Sequence, residues 1–289
     1  MMKRILFMIL SALLVFTTPA LAFDKEKVEV GVEYGYSHQD IENVGVATIN
    51  LGGFINGGLI EKTSNVKQWS ALMTLGYELS DQLTPYLVLG NGWLDLDQEL
   101  VGNFGIGGWS GSTPILVREL RGASGFMIGG GAKGNALKFN NGINIGYDAR
   151  WTTMDVESDQ EPATLLPSFG SGFLIKDNMK ASLGVFNLDI VANKYFDLTT
   201  KNEDGTITKK YKVEGITPFL GGRWTHSDLN VKNELSVGKI DVGTEMESQG
   251  NMLSGLAGAS VKITKNIDVS VGGVFGQENG IQIKTVYKF

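Results

Sequence analysis

The last ten residues, Gly280 to Phe289, constrain the chain more than any other stretch. Side chains alternate across a β-strand, so Ile281, Ile283, Thr285, Tyr287 and Phe289 share one face. Gln282, Lys284, Val286 and Lys288 share the other. The first face is apolar and closes on two aromatic rings. A soluble protein seldom needs its final residue as an apolar anchor. A sheet closed on itself in a lipid bilayer does, because aromatic rings settle where hydrocarbon meets headgroup.

The start of the chain points the same way. Lys3 and Arg4 precede an apolar run, Ile5 to Phe16, broken only by Ser11, and Ala20 and Ala22 have cleavage-site spacing. The pattern reads as a cleaved secretory signal peptide over residues 1–22, with a mature chain over 23–289. No later stretch offers the ~18 apolar residues of a membrane helix. An exported chain of this kind can enter a membrane only as a closed sheet, since hydrocarbon satisfies no backbone hydrogen bond. There is no cysteine, which removes lipoprotein anchoring and thiol or disulfide chemistry. Glycine is 39 of 289 residues, nearly twice the usual ~7%, and relieves curvature and crowding inside a sheet. The net charge of −6 argues against nucleic acid as a partner.

Alternation and turn residues predict about twelve strands. They cover 27–37, 67–79, 83–97, 123–133, 143–153, 163–176, 179–198, 206–224, 229–240, 252–263, 267–275 and the final stretch. Short turns fall at Ser80–Gln82, Gly134–Gly142, Asp177–Asn178, Ser227–Asp228 and Thr264–Asn266, and Asp204-Gly205 suits a hairpin. Segments 38–66 and 98–122 read as long loops, although the first has room for two more strands. The apolar phase of 179–198 slips near Val185 and Phe186, which predicts a bulge. Counted back from the C-terminus, all five short turns fall at one end and both long loops at the other.

The final strand, the hairpin Gly76 to Tyr86 and this sorting of connections resemble bacterial outer-membrane β-barrels of the small porin-like class. The resemblance implies an all-β, single antiparallel up-and-down transmembrane barrel with long extracellular loops and short periplasmic turns, placed in the bacterial outer membrane. It implies that Tyr287 and Phe289 belong to the signal read by the β-barrel assembly machinery. It also implies periplasmic chaperones during biogenesis, and outer-membrane lipid and lipopolysaccharide as surroundings.

The strand phases put Glu29, Glu33, Glu78, Asp148, Glu234 and Asp268 inside the barrel, with Lys133, Arg150, Arg223, Lys232, Lys284 and Lys288. Such charges either line a wet pore or pair across the lumen and plug it, and the many lumenal glycines favour a narrow pore. The leading expectation is therefore a porin-like passive channel for small solutes or ions. A structural or surface-recognition barrel acting through its loops is the alternative, and a lipid-acting enzyme comes third. Acidic residues alternate at Asp95, Asp97 and Glu99 and again at Asp155, Glu157, Asp159 and Glu161. Together with Asp241, Glu245 and Glu247 they would give the outer rim a modest preference for cations. Oxygen-rich sets of this kind could also hold Ca²⁺, the sole cofactor the sequence suggests, against the plainer reading of a solvated rim. Ser37-His38-Gln39-Asp40 places nucleophile, base and acid in sequence, but neighbours on a strand point to opposite faces, so no enzyme is expected. His226, expected near the periplasmic end of its strand, lies too far from His38 to complete a site.

Overall fold

The computed structural model of the chain describes residues 24–39, 43–48, 58–106, 109–165, 173–201, 207–209, 213–237 and 240–289. The segment 1–22 lies outside them. The strands are β1 (Val28–Gln39), β2 (Asn43–Thr48), β3 (Gly58–Tyr77), β4 (Thr84–Ile106), β5 (Trp109–Lys138), β6 (Ile143–Leu165) and β7 (Phe173–Lys194). They continue as β8 (Phe196–Asp197), β9 (Thr199–Lys201), β10 (Ile207–Lys209), β11 (Gly215–Val237), β12 (Ile240–Thr264), β13 (Ile267–Gly276) and β14 (Glu278–Lys288). Ten of them pair antiparallel around a closed wall in the order β1-β14-β13-β12-β11-β7-β6-β5-β4-β3, and β3 returns to β1 from Tyr77 opposite Val28 to Val66 opposite Gln39. β2 adds to the far end of β3, β8 to the foot of β11, and β9 with β10 forms a small hairpin.

The register fixes the tilt. Followed around the wall from Glu33 in one direction, direct partners lead to Leu229 on β11. In the other direction they lead to Thr217 on the same strand. This stagger requires strands inclined about 40° to the axis. Each residue then climbs about 2.5 Å. β1, β13 and β14, of 12, 10 and 11 residues, are just long enough for an apolar band about 25 Å tall. β3, β4, β6, β7, β11 and β12 have 20 to 25 residues and β5 has 30, so these strands project about as far again beyond the band.

The wall has two fewer strands than the sequence predicts. Asp177-Asn178 and Ser227-Asp228 are not turns. β7 and β11 run straight through them, with Asp177 opposite Leu235 and Asp228 opposite Gly184 and Gln249. Segment 98–122 is not a loop either, since β4 and β5 continue through it and pair until Ile106 meets Trp109. Most of 38–66 is likewise β2 and the first half of β3. The hairpin predicted at Asp204-Gly205 joins the short β9 and β10, and its tip lies outside the described residues. That connection, 195–214, is long and falls at the end carrying the short turns, which are Glu78–Leu83, Phe139–Gly142 and Lys265–Asn266.

Outward side chains sort into bands. Val32, Met73, Leu89, Val271 and Ile283 are exposed on the wall. Below them Tyr287 and Phe289 meet edge to face at 4.9 Å, and the Phe289 amide donates to the Val28 carbonyl across the seam between first and last strands. Above them stand Tyr36 beside Trp69, at 5.1 Å, and Phe186 beside Trp224, at 5.8 Å. Two aromatic levels flanking an apolar band are the mark of a bilayer-spanning wall. Val271 is central in this band, opposite Ala259 and Ile283. Val271→Arg is expected to cost about 2–4 kcal/mol, read as a shift in the urea midpoint of the protein folded in lipid vesicles. A cost near zero would mean that this face does not meet hydrocarbon.

Above the upper aromatic level the polarity of the wall inverts. On β6, Ala149 and Trp151 face out while Asp148 and Arg150 face in; a few residues on, Asp155 and Glu157 face out and Met154 and Val156 are buried inside. On β11, Trp224 faces out opposite to Arg223, then Asp228 faces out and Leu229 and Val231 lie inside. The same inversion explains Val185 and Phe186. β7 pairs with β6 and β11 without any register shift from Lys180 to Asn193, so there is no bulge. The environment changes, not the phase. In the membrane the barrel is apolar outside and polar inside; beyond it the same strands form a water-facing wall around an apolar interior.

Candidate functional site

The interior is built in three levels. The lowest is a cavity of 560 Å³ that reaches the end carrying the turns and is lined by Glu29, Glu78, Lys133, Asp148, Lys284 and Lys288 among others. Lys133 reaches Glu29 at 2.5 Å, and Lys288 reaches Glu29 at 2.8 Å and Glu78 at 3.6 Å. At the mouth, Lys138 contacts Asp81 at 2.5 Å, and this hydrogen bond holds the Asp81 carboxyl below the usual carboxylate range.

The middle level is a cross-lumen network. Glu33 on β1 is buried and accepts from Arg150 on β6 at 2.6 Å, with Lys284 at 3.9 Å. β1 and β6 lie four strands apart around a ten-stranded wall, so this pair crosses the lumen close to its full width. Arg223 grips Asp189 through two bonds of 2.7 and 2.8 Å and approaches Glu278 at 3.6 Å. Thr225 donates to Glu278 at 2.9 Å, and the Glu278 amide donates to the Ser254 hydroxyl at 2.9 Å. Tyr86 donates to Asp148, and Lys284 lies 5.7 Å from the Tyr86 ring centre. Bidentate, charge-assisted bonds are short and directional, so these side chains are held in place. The void left at this level is 60 Å³.

The upper level is largely apolar. Leu94, Leu96, Leu120, Met154, Met179 and Leu229 are all fully buried and pack into one cluster with Val88 and Val231. Neighbouring interior glycines leave no slack: a Cβ on Gly92 would come within 2.6 Å of two methionine sulfurs, those of Met154 and Met127. The packing resembles that of a soluble core.

The structure brings Glu29, Glu33, Glu78, Lys133, Asp148, Arg150, Arg223, Lys284 and Lys288 together inside. Asp268 is half-buried near the foot of β13, opposite Lys262 and Val286. Lys232 is elsewhere. It is exposed on the outer wall of β11, above the inversion, where even-numbered residues face water. The side chains of Glu234, Asp159 and Glu161, like those of Asp241 and Glu245, lie outside what the structure describes. Asp95, Asp97, Glu99, Asp155 and Glu157 do not ring an entrance. They stand on the outside of the projecting wall, where Asp97 meets Arg121 at 2.6 Å, Glu157 meets Lys180 at 2.7 Å and Ser182 donates to Asp155. Among the described residues no group of three or more acidic or histidine side chains is arranged to hold a metal ion. His226 sits at the upper aromatic level, stacked on Trp224 and 2.9 Å from Asn251, and not at the periplasmic end. Sequence reasoning missed Asp189, Glu278 and Tyr86. Asp189 was legible in principle, being directly opposite Arg223 once β7 and β11 are aligned.

A closed antiparallel wall with two aromatic girdles and a polar interior is that of a bacterial outer-membrane β-barrel. No family model matches the chain. Among curated proteins it is 28% identical to a probable endopolygalacturonase A of Aspergillus fumigatus over 195 residues, 62% of this chain and 51% of that protein. A Neosartorya fischeri protein of the same description matches with the same identity and coverage. The chain spans about half the length of the curated relatives it matches. Among solved structures, the Escherichia coli outer-membrane protease OmpT aligns over 94% of this chain and 100% of its own, with 12% identity and a TM-score of 0.46. The β domain of the Bordetella autotransporter BrkA aligns over 91% and 100%, with 13% identity and a TM-score of 0.40. The Pseudomonas putida toluene transporter TodX aligns over 94% and 91%, with 13% identity and a TM-score of 0.30.

Proposed function

We propose that this chain is a non-conducting outer-membrane barrel that carries a folded extracellular extension, and that it works as a surface-recognition or structural module. The observation that carries the reading is the stack of two closures in one lumen. The Glu33–Arg150 strut crosses the middle level, and the Leu94–Leu120–Leu229 cluster fills the level above it. An ion would have to shed most of its hydration shell to pass the packed apolar level, at a cost of many kcal/mol. The projecting strands then supply what a plugged barrel can offer, a rigid wall held clear of the membrane. Its outer face is charged and its interior apolar, as in a soluble domain. The reading assigns the chain no catalytic role and no cofactor. It keeps a cleaved leader over 1–22, and it leaves outer-membrane lipid and the assembly machinery as partners.

The passive channel expected from the sequence is the second reading. The 560 Å³ cavity at the turn end favours it, since half of a pathway is already present. Planar-bilayer recording with the purified protein separates the two. The first reading expects no steady conductance at any voltage the bilayer tolerates. Stable, ohmic steps from the unaltered protein would overturn it in favour of the channel.

A further inference from the structure

On the outer wall Trp69 and Trp93 are direct cross-strand partners on β3 and β4, and Tyr36 on β1 is opposite Trp69. Just above these rings regular pairing fails on both sides of β4. The β3–β4 register shifts between Ser64 and Lys67, and the β4–β5 register shifts between Leu94 and Leu96. At the second shift Arg121 and Gly122 together face the single residue Asp95. Gly122 has φ of 61°, a left-handed conformation that favours glycine, and its amide donates to the Asp95 carboxylate. A bulge bends its strand and re-aims the side chains beside it. Here it swings Arg121 out to meet Asp97 and opens a concavity of 510 Å³, lined by Tyr34, Trp69, Trp93, Asp95, Arg121 and Gly122.

We propose that this concavity is a saccharide site for the sugar headgroup of an outer-leaflet glycolipid. Its height selects the occupant. Met73 and Leu89 below it face hydrocarbon, while Asp97 and Arg121 above it face water. The site therefore lies in the headgroup layer of the leaflet opposite the termini. Its chemistry selects sugar over other headgroup components. Flat aromatic faces suit the C–H face of a pyranose ring, and a carboxylate beside a guanidinium offers strong acceptors and donors to ring hydroxyls. A phosphate is disfavoured, because Arg121 is already engaged by Asp97 and Asp95 stands beside it. An acyl chain alone would gain nothing from a polar bulge.

The test uses the full mature protein, folded in a zwitterionic detergent without sugar groups. It is titrated with purified lipopolysaccharide and followed by tryptophan fluorescence, with a soluble β-1,6-linked glucosamine disaccharide as competitor. Saturable lipopolysaccharide binding, competed by the disaccharide and weakened at least about tenfold in Trp93→Ala, is expected. Arg121→Gln, an exposed change that leaves the fold in place, should weaken it as well, and Asp228→Ala, elsewhere on the polar wall, should not. The assignment is overturned if the unaltered protein binds without saturation, if the disaccharide fails to compete, or if folded Trp93→Ala and Arg121→Gln bind as tightly as the parent.

Discussion

Arg150→Ala is expected to destabilise the barrel by about 3–5 kcal/mol, the usual cost of removing one partner from a buried ion pair. Glu33 is 2% exposed, and without the guanidinium its nearest cation is Lys284, at 3.9 Å. A carboxylate so far from water then loses the 2.6 Å charge-assisted bond that offsets its desolvation. The attraction within the pair is offset by the desolvation of both charges, so the intact pair adds little net stability. The damage comes from the orphan. The double change Glu33→Leu with Arg150→Met should therefore sit much nearer the parent than Arg150→Ala does. Urea titration of the protein in lipid vesicles, with the shift of the folded band on unheated gels as readout, compares the three. A loss below about 1 kcal/mol for Arg150→Ala, or a double variant as damaged as the single, would show that the strut is not desolvated.

The barrel itself was legible because its signal is periodic. Period-two alternation is plain in stretches such as Val28–Tyr36, Ile143–Thr153 and Ile281–Phe289, and a sheet whose two faces meet different media cannot hide that pattern. Nine of the interior charges were legible for the same reason, since Glu29, Glu33, Asp148, Arg150 and Arg223 occupy the minority phase of strands whose other face is aliphatic. What failed was the assumption of one environment per strand. A strand of 22 or 23 residues leaves the bilayer halfway, and its hydrophobic face then moves from outside to inside without any change in register. Viewed as a single environment, that swap at Val185–Phe186 imitates a bulge. At Ser227-Asp228 it imitates a turn, because two small polar residues there follow an outward aromatic. Lys232 reads as an interior residue for that reason: a strand restarted at Leu229 turns the outward face of β11 inward. Which partner each interior charge takes was not legible at all. Arg150 and Glu33 are 117 positions apart, and their contact depends on the strand number and stagger that bring β6 across from β1.

The inversion makes a sharp demand on three consecutive residues of β11. Asp228 and Asn230 face water on the projecting wall, and Leu229 between them is 2% exposed inside. Leu229→Ala is expected to cost about 2–5 kcal/mol, the range for truncating a large aliphatic side chain in a core that collapses only in part. Leu229 packs in the same cluster as Val231 on its own strand and Leu183 and Ala181 on the adjoining β7, so little can move in to fill the space. Asp228→Ala and Asn230→Ala should each stay within about 0.5 kcal/mol of the parent, as exposed positions generally do. A turn at Ser227-Asp228 demands the opposite order: Asp228 would then cap the reversal and Leu229 would begin a strand facing lipid. In lipid, shortening Leu229 would leave no cavity, because acyl chains would fill the space, and the loss would fall to the transfer cost of the methyl groups alone. Three single variants measured in one titration series therefore decide whether the wall of β11 crosses from membrane to water as a single uninterrupted strand. Equal losses at 228 and 229, or a larger loss at 228, would remove the inverted extension, and with it the apolar closure above the Glu33–Arg150 strut.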